Sequence, residues 1–83
     1  MYYVYALRSL ESGKLYIGFT RDLKKRYAQH RAKLSFATKS WGELKLVFYE
    51  AFLSRNDATR REKYLKTTKG KRTLRLMLKY SLS

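Results

Sequence analysis

Positive charge dominates this sequence and limits how it can fold. The 83 residues include 20 lysines and arginines against 6 aspartates and glutamates, which gives a formal net charge of +14. Such self-repulsion opposes compaction, so the excess is expected to serve a polyanionic partner. Nucleic acid and an acidic membrane surface both fit that description. The predicted helices need their modest apolar faces for the core, which favours nucleic acid and argues against a membrane partner.

The rest of the composition is that of a small folded domain. Hydrophobic residues make up 45% of the chain and aromatic residues 16%, which is typical of core-forming sequences. The sequence contains no cysteine, which excludes a disulfide framework, a thiolate zinc site and a cysteine nucleophile. We expect residues 1–83 to form one domain. We also expect a cytoplasmic protein, because the apolar stretch Met1 to Leu7 has no basic residue before it and is too short to span a membrane.

The charge is unevenly distributed along the chain. Residues 21–41 hold seven Lys or Arg against one acidic residue, and residues 54–83 hold ten against two. Residues 1–20 and 42–53 are nearly neutral and rich in Tyr, Val, Ile, Leu and Phe, which are side chains that suit strands. The sequence therefore predicts neutral strands and basic helices.

The first neutral segment has the pattern of a β-hairpin. Tyr2–Arg8 and Lys14–Thr20 are the predicted strands, with the turn centred on Glu11 and Ser12. A turn at this position gives an antiparallel register in which Tyr3 is opposite Thr20, Tyr5 opposite Gly18 and Leu7 opposite Tyr16. A slip by one residue would instead separate these tyrosines. Tyr3, Tyr5, Tyr16 and Gly18 would then share one face, with a patch at Gly18 where a phosphate backbone can approach two phenols.

Three helices and a third strand are expected after the hairpin. Thr20 or Asp22 caps a helix of about a dozen residues, which is followed by a loop over Ser35–Gly42. Leu44–Phe52 alternates and is apolar on both faces, which predicts a buried strand. The first helix would bury Leu23, Tyr27, His30 and Leu34, with Arg26 at the edge of that stripe.

Two further helices are expected in the basic C-terminal segment. The first begins at Ser54, where Asp57 completes a pattern similar to a capping box, and it would bury Ala58, Glu62 and Leu65. Gly70 is expected to end it, and the last helix would bury Leu74, Leu78 and Met77. The predicted order is β-β-α-β-α-α, an α/β (α+β) fold.

Glu62 is the most informative single residue, because a carboxylate on a buried helical stripe needs a cation. One hypothesis is an ion pair with Arg26, Arg60 or Lys66. The other is a divalent metal ion that faces a phosphate, since Mg²⁺ takes one or two carboxylates together with waters and substrate oxygens. No second carboxylate obviously converges with Glu62, so only a one-metal site is compatible with the sequence.

His30 and Arg26 lie one helical turn apart. A solitary histidine on a helix is commonly a packed or hydrogen-bonded residue, and this reading stays open here. An arginine and a histidine on one face can also bind a phosphate and move a proton, because guanidinium presents a planar fork of donors and imidazole titrates near neutrality.

The ordered motifs resemble those of the GIY-YIG nuclease domain, in particular small stand-alone members similar to the N-terminal nuclease module of UvrC. The matching segments are Tyr3-Val4-Tyr5, Leu15-Tyr16-Ile17-Gly18, Arg21 to Arg26 with His30, Tyr49 to Phe52, and Arg60 to Lys66. The resemblance implies a three-stranded antiparallel sheet flanked by helices. It also implies metal-dependent hydrolysis of DNA, with DNA repair or recombination as the biological setting.

The resemblance also implies roles for individual residues. Glu62 would bind a single Mg²⁺ or Mn²⁺, Arg26 would stabilise charge on the phosphate, and Tyr16 would orient or deprotonate the attacking water. Tyr5 would assist by hydrogen bonding, and His30 matches a position that serves proton transfer in some members. The nucleic acid, with RNA not excluded, would be bound by basic side chains: Lys14, Lys24, Lys25, Lys39, Lys66, Lys69, Lys71 and Arg72.

Two alternatives remain from the sequence. Many family members place an asparagine after the metal-binding glutamate, whereas the single asparagine here is Asn56. This difference motivates the hypothesis of a non-catalytic nucleic-acid-binding module on the same fold. A third hypothesis is a small interaction subunit whose basic face docks on an acidic protein. The sequence does not determine the oligomeric state.

Overall fold

The computed structural model describes residues 1–83 and has the predicted order of elements. The three strands form one antiparallel sheet in which β1 is central, with the order β2-β1-β3. The three-stranded antiparallel sheet flanked by helices is thus confirmed. The elements are β1 (Tyr2–Ser9), β2 (Leu15–Thr20), α1 (Leu23–Arg31), β3 (Leu44–Phe52), α2 (Arg55–Leu65) and α3 (Thr68–Met77). None of the helices is both long and apolar enough to cross a bilayer.

The β1–β2 hairpin has the predicted register. Gly13 closes the turn with a φ of 75°, a conformation that favours glycine, and its N–H donates to the Ser9 carbonyl at 2.8 Å. This register brings functional candidates from two strands to one face, because side chains alternate along each strand. The Cα partners include Tyr3 with Thr20, Tyr5 with Gly18 and Leu7 with Tyr16.

The prediction of a buried third strand is wrong. β3 lies at an edge of the sheet, and one of its nine residues is buried. Its register shifts between Ala6 and Leu7, which pair with Phe48 and Leu46, so Val47 is the extra residue of a β-bulge. The expected alternation ends at this bulge, because Val47 and Phe48 both pack on the side of the sheet that α2 covers.

Two apolar clusters occupy opposite faces of the sheet. On one face, α2 and α3 cover the side chains of Val4, Ala6 and Ile17. On the other face, Leu23 and Tyr27 of α1 pack with Tyr5, Leu7 and Leu44. The tyrosine face of the hairpin is therefore covered by α1 and by the segment that follows it.

Side-chain caps begin all three helices. Asp22, Ser54 and Thr67 each accept a hydrogen bond from the backbone N–H three residues later. The first two caps were predicted from the sequence, and the third was not. α1 has nine residues rather than a dozen. Leu34 lies beyond its end and is 74% exposed, so its predicted burial is wrong.

Gly70 does not separate α2 from α3 as predicted, because Thr67 caps α3 and Gly70 lies buried in its first turn. A Cβ at Gly70 would overlap the carbonyl of Tyr64, so glycine permits α3 to approach the end of α2. Leu74 is fully buried and Leu78 is 9% exposed, whereas Met77 is 51% exposed and does not join the core as expected.

Gly70→Ala is expected to lower the free energy of unfolding by about 1–3 kcal/mol or more, because the clash is with backbone and cannot be relieved by a side-chain rotation. Urea unfolding followed by circular dichroism measures this change. Lys69→Ala, at an exposed neighbouring position, should change stability by less than about 0.5 kcal/mol. Equal stability of Gly70→Ala and the wild type would contradict the close helix contact.

Candidate active site

Tyr5 lies at the centre of the candidate site. Its side chain is 1% exposed and extends across Gly18 of the neighbouring strand, where a Cβ would overlap the end of the phenol ring. The patch that the sequence predicted at Gly18 is thus filled by Tyr5 itself, which corrects the expectation that a phosphate backbone could enter it. Glycine at position 18 is what permits Tyr5 to lie over β2.

His30 joins Tyr5 to the loop that follows α1. The Tyr5 hydroxyl lies 2.9 Å from His30 Nε2, and His30 Nδ1 lies 2.8 Å from Thr38 Oγ1. All three side chains are almost completely buried, at 1%, 1% and 0% exposure. Because imidazole offers one donor and one acceptor when neutral, this chain satisfies both ring nitrogens.

Burial sets the protonation states of this chain. It raises the pKa of Tyr5 from 10.0 to about 12, against the opposing effect of the Arg26 guanidinium, and the Tyr16 and Glu62 charges act in the same direction as burial. Burial, and then the Arg26 charge, lower the pKa of His30 from 6.5 to about 4. Both groups are therefore neutral near pH 7, so Tyr5 keeps its proton.

The single histidine allows a direct test of this electrostatic environment. We expect the C–H resonances of the His30 imidazole to titrate with a midpoint near pH 4 in the folded protein. The unfolded chain takes up this proton near pH 6.5, so folding stability should fall as the pH decreases from about 6.5 to 4, by roughly 3 kcal/mol in total. His30→Gln should flatten this part of the stability profile. A midpoint near 6.5 in the wild type would contradict the buried, neutral imidazole.

Arg26 carries a charge that no carboxylate neutralises at close range. Its Nη1 donates to Gln29 Oε1 at 3.1 Å and its Nη2 donates to Ser35 Oγ at 3.3 Å. Both partners are neutral, and the guanidinium is half-buried next to the Tyr5–His30 pair. An oriented but unpaired guanidinium is well suited to a phosphate group.

Tyr16 lies between this buried chain and the surface. Its ring centroid is 5.1 Å from that of His30 and 6.3 Å from that of Tyr5. On its other side it meets Trp41 edge to face at 6.2 Å. Tyr16, Trp41 and Lys66 contribute to a depression of about 410 Å³, so the half-buried phenol of Tyr16 is accessible from outside.

Glu62 reaches this region from α2. Its side chain is 19% exposed, and its Oε2 lies 3.0 Å from Nζ of Lys66, which lines the same depression as Tyr16. Of the three cations considered from the sequence, Lys66 is therefore its partner, whereas Arg60 pairs with Asp57 at 3.5 Å. Lys66 is 54% exposed, so this ion pair is open to exchange with another cation.

The residues present fit a single hard cation better than a two-metal centre. The structure contains no group of three or more His, Asp or Glu side chains that could hold a metal ion. Two other carboxylates have partners that are less open to exchange than the exposed Lys66, since Asp22 caps α1 and Glu50 pairs with the half-buried Arg61 at 2.8 Å. Glu62 remains as one carboxylate for an ion that would complete its shell with waters and phosphate oxygens.

The basic residues expected to bind nucleic acid divide into four groups. Around the Tyr16 depression lie Lys66 and Lys71, with Lys14 over the Trp41 ring at 5.9 Å. Lys24 and Lys25 are exposed in the first turn of α1, and Lys69 and Arg72 are exposed on α3. Lys39 lies on the loop after α1, where it covers the exposed ring of Phe36 at 4.6 Å.

Two polar residues in this region were not identified from the sequence. Thr38 holds His30, and Ser35 accepts a hydrogen bond from Arg26, and both come from the loop after α1. The sequence feature that could have indicated these two residues is the presence of hydroxyl side chains shortly after a helix that carries a histidine and an arginine. The fold of the loop decides which hydroxyl meets which partner.

Comparisons with known proteins identify the family to which this chain is similar. The GIY-YIG catalytic domain family matches residues 1–75. A UPF0213 protein of Clostridium perfringens is 34% identical over 83 residues, covering 99% of this chain and 88% of the relative. A UPF0213 protein of Staphylococcus haemolyticus is 34% identical, covering 92% and 93%. The solution NMR structure of a UPF0213 protein from Bacillus halodurans is 32% identical, with a TM-score of 0.58 over 93% of this chain and 85% of that one.

The chain therefore belongs to the GIY-YIG catalytic domain family. The relatives it matches are small UPF0213 proteins, which have the same family fold. Family membership implies a nuclease-type function with nucleic acid as the substrate.

Proposed function

We propose that this protein is a metal-dependent endonuclease that hydrolyses phosphodiester bonds in DNA. The observation that carries the proposal is the convergence of Tyr5, Tyr16, Arg26 and His30, from two strands and one helix, within electrostatic range of Glu62 on α2. Branched or damaged DNA, the substrate of repair and recombination, is the form to test first, and RNA is the comparison. In bacteria such as those that carry the relatives, DNA lies in the cytoplasm, which would be the location of this activity.

Each side chain has a role that follows from its surroundings. The Arg26 guanidinium binds the scissile phosphate and neutralises charge that grows in the transition state. Tyr16 is accessible from the surface, so it is the residue that orients the attacking water or, as a phenolate, accepts its proton. Tyr5 stays protonated and supports this arrangement by hydrogen bonding, because burial raises its pKa to about 12. His30 is too buried to touch substrate and acts through Tyr5.

Glu62 would hold one Mg²⁺ or Mn²⁺ in place of the Lys66 ammonium. The ion would polarise the phosphate and lower the pKa of bound water. Lys66, which is 54% exposed and lines the Tyr16 depression, would then be available to the phosphate backbone. The basic residues around Tyr16 and on α1 and α3 supply the sequence-independent attraction for the polymer.

A second candidate is a non-catalytic nucleic-acid-binding module. The Lys66 ion pair supports it, because an occupied carboxylate is a weaker metal ligand. This candidate predicts binding that weakens steeply with salt and no metal-dependent strand scission.

The experiment that separates the two uses supercoiled plasmid and branched DNA with Mg²⁺, with Mn²⁺ and with EDTA. The nuclease proposal predicts nicking that requires metal and disappears in Glu62→Ala. Glu43→Ala is the matched control, because Glu43 is exposed and lies outside the site. Tight binding without nicking would favour the binding module, and equal metal-dependent nicking by Glu62→Ala and Glu43→Ala would contradict the assignment of the activity to Glu62.

A further inference from the structure

A groove between α1 and the β3 side of the sheet lies next to the candidate active site and has no role in the chemistry proposed above. It has a volume of about 700 Å³. Three tyrosines contribute to its walls, and the Tyr3 and Tyr49 rings meet edge to face at 6.2 Å. We call it the tyrosine groove; its lining residues are Tyr3, Leu23, Tyr27, Leu46, Tyr49 and Ala51, with Arg21, Asp22 and Lys24 along one side.

The β-bulge at Val47 creates this groove. Without the extra residue, strict alternation from Leu46 would direct Tyr49 to the opposite face of the sheet. With it, Tyr49 stands beside Tyr3 and opposite α1, and its side chain remains 57% exposed. Tyr49 joins the other apolar side chains that line the groove, and a contiguous exposed apolar surface of this kind is typical of a binding groove.

The charges beside the groove match a nucleic acid strand. Arg21 and Lys24 are exposed cations at its edge, where they can contact phosphates. The one carboxylate there, Asp22, already accepts the Lys25 N–H at 3.1 Å as the cap of α1. Cations beside aromatic rings form the usual combination in sites that stack the bases of single strands.

The groove lies beside the candidate active site. Tyr49 is the cross-strand partner of Tyr5, and Tyr3 lies two residues before Tyr5 on the same face of β1, a separation of about 7 Å along a strand. Lys24 and Tyr27 lie on the same helix as Arg26 and His30. The groove is therefore on the side of the sheet that a nucleotide next to a phosphate at Arg26 would meet.

We propose that the tyrosine groove binds an unpaired nucleobase adjacent to the phosphate held at Arg26, by stacking on Tyr49 and Tyr3. This inference rests on the proposed function, and it narrows the substrate to nucleic acid with an unpaired base beside the cleavage position. A base held in a duplex cannot enter, because its faces are already stacked.

The test measures binding in EDTA, where no cleavage interferes. Fluorescence anisotropy compares a labelled single strand with strands that carry one abasic site at successive positions. Wild-type protein should bind the strand that is abasic at one position roughly 5- to 150-fold more weakly, which corresponds to the loss of one stacked base. Tyr49→Ala should bind the intact strand more weakly by a similar factor and should no longer discriminate against the abasic strand.

Two control variants make the result specific. Tyr49→Phe keeps the ring and should bind within about twofold of the wild type. Tyr80→Ala removes a tyrosine of 83% exposure that lies beyond α3, and it should have no effect. Circular dichroism verifies that Tyr49→Ala is folded.

Three results would overturn the inference: unchanged affinity of Tyr49→Ala, equal binding of intact and abasic strands by the wild type, or a dimer in sedimentation that Tyr49→Ala dissociates. The last result would assign the groove to a second copy of the chain. Base discrimination in a protein that never cleaves would support the groove and contradict only the nuclease proposal, so the two failures are distinguishable.

Discussion

Glu62→Gln is expected to lower the rate of metal-dependent DNA cleavage by about 10³-fold, because a bound metal ion contributes several kcal/mol to the transition state. The amide keeps the size of the side chain and removes its charge. Single-turnover cleavage of a labelled oligonucleotide in Mg²⁺ measures the loss. The substitution also removes a negative charge from a strongly basic surface, so DNA binding in EDTA should be equal or tighter.

Substitution of a metal ligand should abolish cleavage and leave DNA binding intact, whereas substitution of a structural residue should damage both. Glu43→Gln provides the comparison, since it removes an exposed carboxylate outside the site and should leave both quantities unchanged. If Glu62→Gln lost binding and cleavage together, the carboxylate would be needed for folding of the site. If it lost neither, Glu62 would have no part in the reaction.

Gly18→Ala is expected to damage both stability and activity. The added methyl group would overlap the Tyr5 phenol, which is 1% exposed and cannot move away without disturbing the core. Overpacking of this kind lowers the free energy of unfolding by about 1–3 kcal/mol. Displacement of Tyr5 also breaks its contact with His30 Nε2, so cleavage should fall further than the loss of folded protein explains.

A double-mutant cycle isolates this clash. Tyr5→Leu alone costs stability, because it removes a buried ring and its hydrogen bond. In the Tyr5→Leu background, Gly18→Ala no longer meets the ring and should cost much less than it does in the wild type. Urea unfolding of the four proteins gives the coupling free energy. Additive effects would mean that Gly18 and Tyr5 do not depend on each other.

The hairpin was predictable from the sequence because its information is local. The turn residues and the alternation of apolar side chains predicted the cross-strand partners of Tyr5 and Tyr16, and the structure has the same pairs. The helix caps at Asp22 and Ser54 were also predictable from the sequence, since a capping side chain and its N–H partner lie three residues apart.

The features that the sequence did not reveal depend on tertiary contacts. The bulge at Val47 arises where β3 pairs with β1, and nothing in the alternation of Leu44–Phe52 marks it. Gly70 has the pattern of a helix breaker, but its lack of a side chain serves the contact with Tyr64. For the same reason, Thr38 could not be assigned to His30 before the course of the loop was known.

The candidate site was predictable as a set of residue types and not as an electrostatic environment. Motif spacing identified Tyr5, Arg26 and His30 together. The same spacing suggested a histidine that titrates near neutrality, whereas burial and Arg26 lower its pKa to about 4. His30 thus differs from the expected proton-transfer group. It is neutral and buried, and it can influence bound substrate only through its contact with the Tyr5 hydroxyl.

The most direct test of Glu62 as the metal ligand is the dependence of the cleavage rate on Mn²⁺ concentration, measured in parallel for the wild type and Glu62→Gln with the same DNA. If Glu62 holds the ion, the rate rises and saturates with metal for the wild type and stays at background for the variant. Identical metal dependence in the two proteins would contradict this role, because the ion that supports cleavage would then not be held by Glu62.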